Sequence, residues 1–162
     1  GMKTVVVDPR RIGIGANANI LLQPRPGSDG ALALALIHCL MDEGWYDAAF
    51  ARQWSNGTFL LNAAANQVLT EADLSANGSA NRFVVWDESL NKPALYDSIT
   101  GLYERDGVQP ALFGTRTIKG KDGKEISCKP VFERLAEIAA EFAPEHVPNC
   151  DCSMLRERPV IG

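Results

Sequence analysis

Two short segments near the N-terminus combine residue types that could hold a nucleotide. The first is Val5-Val6-Val7-Asp8-Pro9-Arg10-Arg11. A carboxylate at the carboxyl end of a parallel strand can accept hydrogen bonds from ribose hydroxyls. The two guanidinium groups that follow can face phosphate oxygens. A plainer reading fits the same residues: Asp8 caps a turn, and Arg10 and Arg11 are solvated. The second segment is Arg25-Pro26-Gly27-Ser28-Asp29-Gly30. Backbone N–H groups at a helix start attract anions, and Gly27 lets a ligand approach the backbone closely. Asp29 offers two acceptor oxygens that suit the adjacent N1–H and N2–H₂ donors of guanine. Here the plainer reading is an N-cap residue of the helix that follows.

No catalytic set accompanies these segments. The two histidines are His38 and His146. His38 lies inside an apolar helical pattern, where a satisfied core imidazole is commoner than a ligand, and His146 follows a helix end, where a cation is favoured anyway. The sequence holds no G-x-S-x-G, H-E-x-x-H or G-x-x-x-x-G-K. Gly13-Ile14-Gly15 lacks a third glycine and an immediate helix, so it is a poor dinucleotide fingerprint. The four cysteines are Cys39, Cys128, Cys150 and Cys152. Cys39 reads as a buried thiol, and Cys150-Asp151-Cys152 is not the C-x-x-C spacing of zinc or redox sites. Free thiols are expected, with no catalytic or metal-ligating residue assigned.

Composition bounds the function classes. Hydrophobic residues make up 46% and charged residues 22% of 162 residues, with a net charge of −4. That is ordinary for a globular chain. No Lys/Arg-rich stretch offers a nucleic-acid backbone a partner, and the longest apolar run, residues 31–36, is far too short to span a bilayer. No signal peptide opens the chain, so as it stands it is expected in the cytoplasm. Gly1 ahead of Met2 reads as a cloning remnant.

The elements that would position the two segments follow from pattern. Residues 4–7 read as a buried strand stopped by Asp8-Pro9, and residues 19–22 as a second strand. Between them residues 10–18 read as loop. Pro24 and Pro26 make the next stretch an extended loop. Ser28 or Asp29 then caps a helix that is apolar on nearly all sides and so is expected to be buried. Gly44 suits its C-cap, and Asp47 can cap a second helix to about Trp54. Residues 55–81 give poor periodicity. Residues 83–87 and 94–96 read as a hairpin around Asn91-Lys92-Pro93. A second hairpin pairs 111–118 with 124–128 across Asp122-Gly123. Pro130 opens a last helix that Pro144 ends. The expected class is α/β, with a small, mainly parallel sheet, flanking helices and a β-hairpin.

Taken together, the two segments resemble one family. Val6-Val7-Asp8-Pro9-Arg10-Arg11 in the frame V-V-D-P-R-R, then L-x-P-R-P-G-S-D-G-A-L-A-L-A, is similar to the molybdopterin oxidoreductases of the dimethyl sulfoxide reductase family. The likeness continues through Glu43-Gly44-Trp45-Tyr46-Asp47, Phe50, Trp54, residues 82–88, Pro130-Val131-Phe132-Glu133 and Phe142-Ala143-Pro144-Glu145. It implies a dinucleotide-fold-like domain over residues 1–148 that holds one guanosine end of a molybdopterin guanine dinucleotide cofactor of molybdenum or tungsten. By the same resemblance Asp8, Pro9, Arg10 and Arg11 line the nucleotide, followed by Gly27, Ser28 and Asp29. Ile12 and Asn19 depart from the family's frequent Thr and Asp. The family's iron–sulfur cysteines and metal-ligand region are not found here. The chain is therefore expected to be a non-catalytic piece of a larger enzyme, its partner the remainder of that enzyme, with apolar surface left open to self-association. Two other readings stay open: a stand-alone guanine-nucleotide or small-ligand binding module, and a non-functional remnant. Residues 149–162, where the likeness is lost, read as a divergent tail.

Overall fold

A computed structural model describes residues 2–142. Pro144, His146, Cys150, Cys152 and the tail 149–162 lie outside the described residues. The chain divides into two compact units, residues 2–44 with 138–142, and residues 45–137.

In the first unit β1 (Val5–Val7) lies parallel to β2 (Ile20–Leu22), with Val5 opposite Ile20 and Val7 opposite Leu22. Between them Gly13–Asn17 forms a 3-10 turn, not open loop; Gly13 starts it at φ 54°. Helix α1 (Asp29–Asp42) follows β2. Gly44 sits just beyond it at φ 67°, the left-handed conformation that ends a helix, and its amide donates to the carbonyl of Met41.

Burial departs from expectation here. Val5 and Val7 are 57% and 50% exposed, and in α1 only Ala35 is buried, while Leu36 and Leu40 stay open. Parallel sheets normally have both faces covered by helices. Among the described residues this sheet has two strands, too few to cover an all-round apolar helix or to be covered by it.

The second unit is mostly antiparallel. Helix α2 (Ala48–Trp54) starts at Asp47, whose carboxylate accepts the Phe50 amide at 2.9 Å, the cap read from sequence. A four-stranded sheet runs in the order β4 (Gln67–Val68), β3 (Leu60–Asn62), β9 (Glu125–Pro130), β8 (Arg116–Lys119). A three-stranded sheet joins β5 (Arg82–Asp87), β6 (Lys92–Asp97) and β7 (Leu102–Tyr103). Both expected hairpins form. Asn91 and Gly123 take positive φ at their turns, and the β8–β9 hairpin begins at Arg116, so residues 111–115 are not strand. Pro130 does not open the last helix. It ends β9 opposite Leu60, and α4 (Val131–Ala140) starts one residue later. Residues 55–81, unreadable by period, supply β3, β4 and the short helix α3 (Glu71–Leu74).

The core of this unit gathers Leu60, Leu69, Val84, Ile118 and Cys128. Burial, against a smaller opposing pull from Arg116, pushes the Cys128 thiol up to about 11. The thiolate is the reactive form. Iodoacetamide at mildly alkaline pH should therefore label half-buried Cys39 in the folded chain and reach Cys128 only after denaturation. Peptide mapping checks this, and equal labelling of the two in the native protein would refute it.

Candidate functional site

The parallel register puts the carboxyl ends of β1 and β2 side by side, and the two segments singled out above start there. The Asp8 amide donates to the Leu22 carbonyl at 3.1 Å, continuing the ladder past the strand ends. One residue on, the Gln23 side-chain amide donates to the Pro9 carbonyl at 3.2 Å. The loop after β1 is thereby tied to the loop that leads into α1. Open α/β sheets bind ligands outside the carboxyl ends of their strands, the end at which these loops emerge.

Asp8 turns its carboxylate back on its own loop. Its Oδ1 accepts the Arg10 amide at 2.7 Å, and the Arg10 Nε stands 4.0 Å away. The plainer reading, a turn-capping aspartate, is thus part of its role. Its Oδ2 has no partner among the described residues, so one acceptor remains. The Arg10 side chain is 73% exposed, and Arg11 and Arg25 make no ion pair among the described residues. The three cations are solvated, and an anion would meet Arg11 and Arg25 without breaking an existing bridge.

The start of α1 leaves its donors open. Ser28 is the N-cap residue, but its hydroxyl donates back to the Arg25 carbonyl at 2.7 Å and caps no helix amide. Asp29 is not the cap. It is the first helical residue, exposed, with no hydrogen bond from its carboxylate to a described residue. The first-turn N–H groups of a helix have no internal partner, so they remain available here. Gly27 adopts φ 86°, and neither Gly27 nor Gly30 has any atom within 4 Å of where a Cβ would stand. A ligand has open access to this backbone. One end of the parallel pair thus carries an unpartnered carboxylate oxygen of Asp8, three exposed cations, uncapped helix amides and the free carboxylate of Asp29. Among the described residues no three His, Cys, Asp or Glu side chains gather to hold a metal ion, and no helix is long and apolar enough to cross a membrane.

Two contacts were not anticipated from sequence. One is the Gln23 tie to Pro9. The other is Asn19, whose Oδ1 accepts the Thr4 amide at 2.8 Å and anchors the start of β1. Aspartate, frequent at that position in the resembled family, has the same oxygen, so this departure keeps the contact. Ile12 loses more. It precedes the 3-10 turn as its N-cap and has no side-chain acceptor to offer, where threonine would have one.

No family model matches the chain. Known proteins do. Perchlorate reductase subunit alpha of Dechloromonas aromatica (strain RCB) is 30% identical over 90% of this chain and 18% of its own length. Dopamine dehydroxylase of Eggerthella lenta is 25% identical over 87% of the chain and 21% of its own length. Dimethylsulfide dehydrogenase subunit alpha of Rhodovulum sulfidophilum is 26% identical over 90% of the chain and 16% of its own length. The chain thus spans about a fifth of the length of these curated relatives, whose names carry unlike substrates. What they share with it runs through most of its length, and the chain belongs to the molybdopterin oxidoreductases of the dimethyl sulfoxide reductase family.

Proposed function

We propose that residues 8–11 and 27–29 hold the guanosine end of a molybdopterin guanine dinucleotide cofactor, as one segment of a longer molybdenum or tungsten oxidoreductase, and that the chain is not catalytic by itself. The observation that carries this reading is the joint emergence of both segments at the carboxyl ends of the parallel pair, tied by Gln23 to Pro9. In this reading Asp8 accepts from ribose, and Arg10 and Arg11 face phosphate. Pro9 shapes that loop. Gly27 and the Ser28 N-cap open the helix amides to the ligand, and Asp29 reads the guanine edge. When bound, the cofactor supplies metal-centred redox chemistry; these residues bind and orient its nucleotide end.

Calorimetric titration with GDP and ADP tests the site. Asp29 presents acceptors to two guanine donors that adenine lacks in that arrangement, and a hydrogen bond to a charged group contributes about 1.5–3 kcal/mol. GDP should bind about tenfold or more tighter than ADP. Asp29→Asn, which puts an NH₂ donor against guanine's donors, should erase the preference. Equal affinity for the two nucleotides, no binding of either, or a GDP affinity untouched by the substitution would count against the reading. Asp29 would then only favour the positive end of the helix dipole.

A further inference from the structure

We propose that Gln23 is a positioning residue: its side-chain amide fixes the spacing between the loop of residues 8–11 and the segment that leads into α1, so that one nucleotide can engage both. The inference rests on the reading of these segments as a nucleotide site. The backbone explains why a side chain is needed. The Thr4 carbonyl accepts the Ile20 amide, and the Asp8 amide donates to the Leu22 carbonyl, each at 3.1 Å. Rungs of a parallel ladder step two residues along each strand. The rung after Leu22 would therefore run from the amide of residue 24 to the Asp8 carbonyl. Residue 24 is proline, which has no N–H to give. The ladder stops where the two segments begin, and the Gln23 side chain supplies a further rung, donating to the Pro9 carbonyl at 3.2 Å.

Each segment is otherwise closed on itself. Asp8 Oδ1 accepts the Arg10 amide, and the Ser28 hydroxyl donates to the Arg25 carbonyl, each at 2.7 Å. Among the described residues no other hydrogen bond joins residues 9–12 to residues 23–30. Without the Gln23 rung the two segments would keep their own turns but lose a fixed distance from each other. A ligand that reaches both would then have to restrict that motion itself, which weakens binding. A ligand small enough to sit on one segment would not sense the change.

Gln23→Met, which keeps the side chain's length and removes its donor, tests this in the full chain. Gln23 is exposed, so the variant should keep the wild-type Tm. In the ligand-free protein, amide hydrogen exchange at Arg10 should speed up, while the Val6 and Leu22 amides inside the ladder keep their protection. Calorimetry should show GDP binding weakened about threefold to tenfold, the scale of one neutral hydrogen bond. Inorganic phosphate, which spans only one segment, should bind the variant and the wild type alike. Unchanged exchange at Arg10 overturns the proposal whatever happens to GDP; a GDP loss on its own would then make Gln23 a direct ligand contact. Faster exchange with unaltered GDP affinity, or an equal loss for GDP and phosphate, overturns it too and leaves the nucleotide reading standing. A wild type that binds no GDP removes that reading and this one with it.

Discussion

Asp87→Ala should destabilise residues 45–137 by about 3–5 kcal/mol, because it removes one half of a buried ion pair and strands the other. Asp87 ends β5 with its side chain fully buried. Its Oδ1 accepts the Ser89 hydroxyl at 2.7 Å, the Ser89 amide at 2.9 Å and the Gln109 amide at 3.0 Å, while Oδ2 meets the Arg105 guanidinium at 2.5 Å. One carboxylate thus pins residues 104–110 against the strand end. Arg105 remains 26% exposed and also pairs with Glu104, which moderates the cost of leaving it unmatched and favours the lower part of the range. A fall in Tm on the order of 10 °C, followed by circular dichroism, is expected; a change of only about 1 °C would show that the loop holds without the pair.

The same residue sets an acid dependence. Burial alone would push the Asp87 carboxyl up, but the Ser89 hydroxyl, Gln109 amide, Arg105 guanidinium and Ser89 amide outweigh it and hold it well below the usual carboxylate range. A carboxyl depressed by folding contributes stability that is complete above its unfolded value, near 3.9, and is lost as pH falls through its folded one. The wild type should therefore lose stability as the pH drops below about 4, and Asp87→Asn should flatten that slope.

Gly78→Ala should be the most damaging glycine substitution outside the turns. A Cβ at Gly78 would stand 2.1 Å from the carbonyl oxygen and 2.3 Å from the carbonyl carbon of Glu71. These are backbone atoms at the start of α3, so no rotamer change relieves the clash. The loop would have to move, and with it the bonds that Glu71 organises: its carbonyl to the Ser75 amide, and its carboxylate to the Ser79 amide and to Arg82. Overpacking of this kind typically costs about 1–3 kcal/mol, before the lost hydrogen bonds are added. Gly30→Ala is the matched comparison: it lies in the first turn of α1 with open space around it, and alanine is the better helix former. Urea unfolding should show a clear drop in midpoint for Gly78→Ala and none for Gly30→Ala. Equal midpoints would mean that the loop over Glu71 yields freely.

Local features were legible because neighbours in the chain decide them. The Asp47 cap needs only an amide three residues ahead, the Gly44 stop only a residue free to take positive φ, and the Asp122-Gly123 turn only the right pair between two β-branched runs. The two candidate segments could be picked out for the same reason, since each is a short run of residue types. Residues 55–81 were not. Strand β3 there has three residues, too few to show a period, and it forms because Leu60 and Leu61 find β9 about seventy positions further on. Asp87 read as the end of a strand; that it is a fully buried anion depends on Arg105 and Gln109, which no local pattern connects to it.

The amino-acid sequence by itself determined the class of the chain, its family, its turns and caps, and which residues could meet a nucleotide. All of these depend on residue type over a few positions. Only the tertiary structure decided that the two candidate segments leave the same end of one parallel pair, that Ser28 turns away from the helix it precedes and leaves the first-turn amides uncapped, and that Val5, Val7, Leu36 and Leu40 are exposed among the described residues. Hydrophobicity states that a strand or helix gains by being covered. Whether anything covers it depends on which other elements reach it, and that is set by packing between residues far apart in the chain.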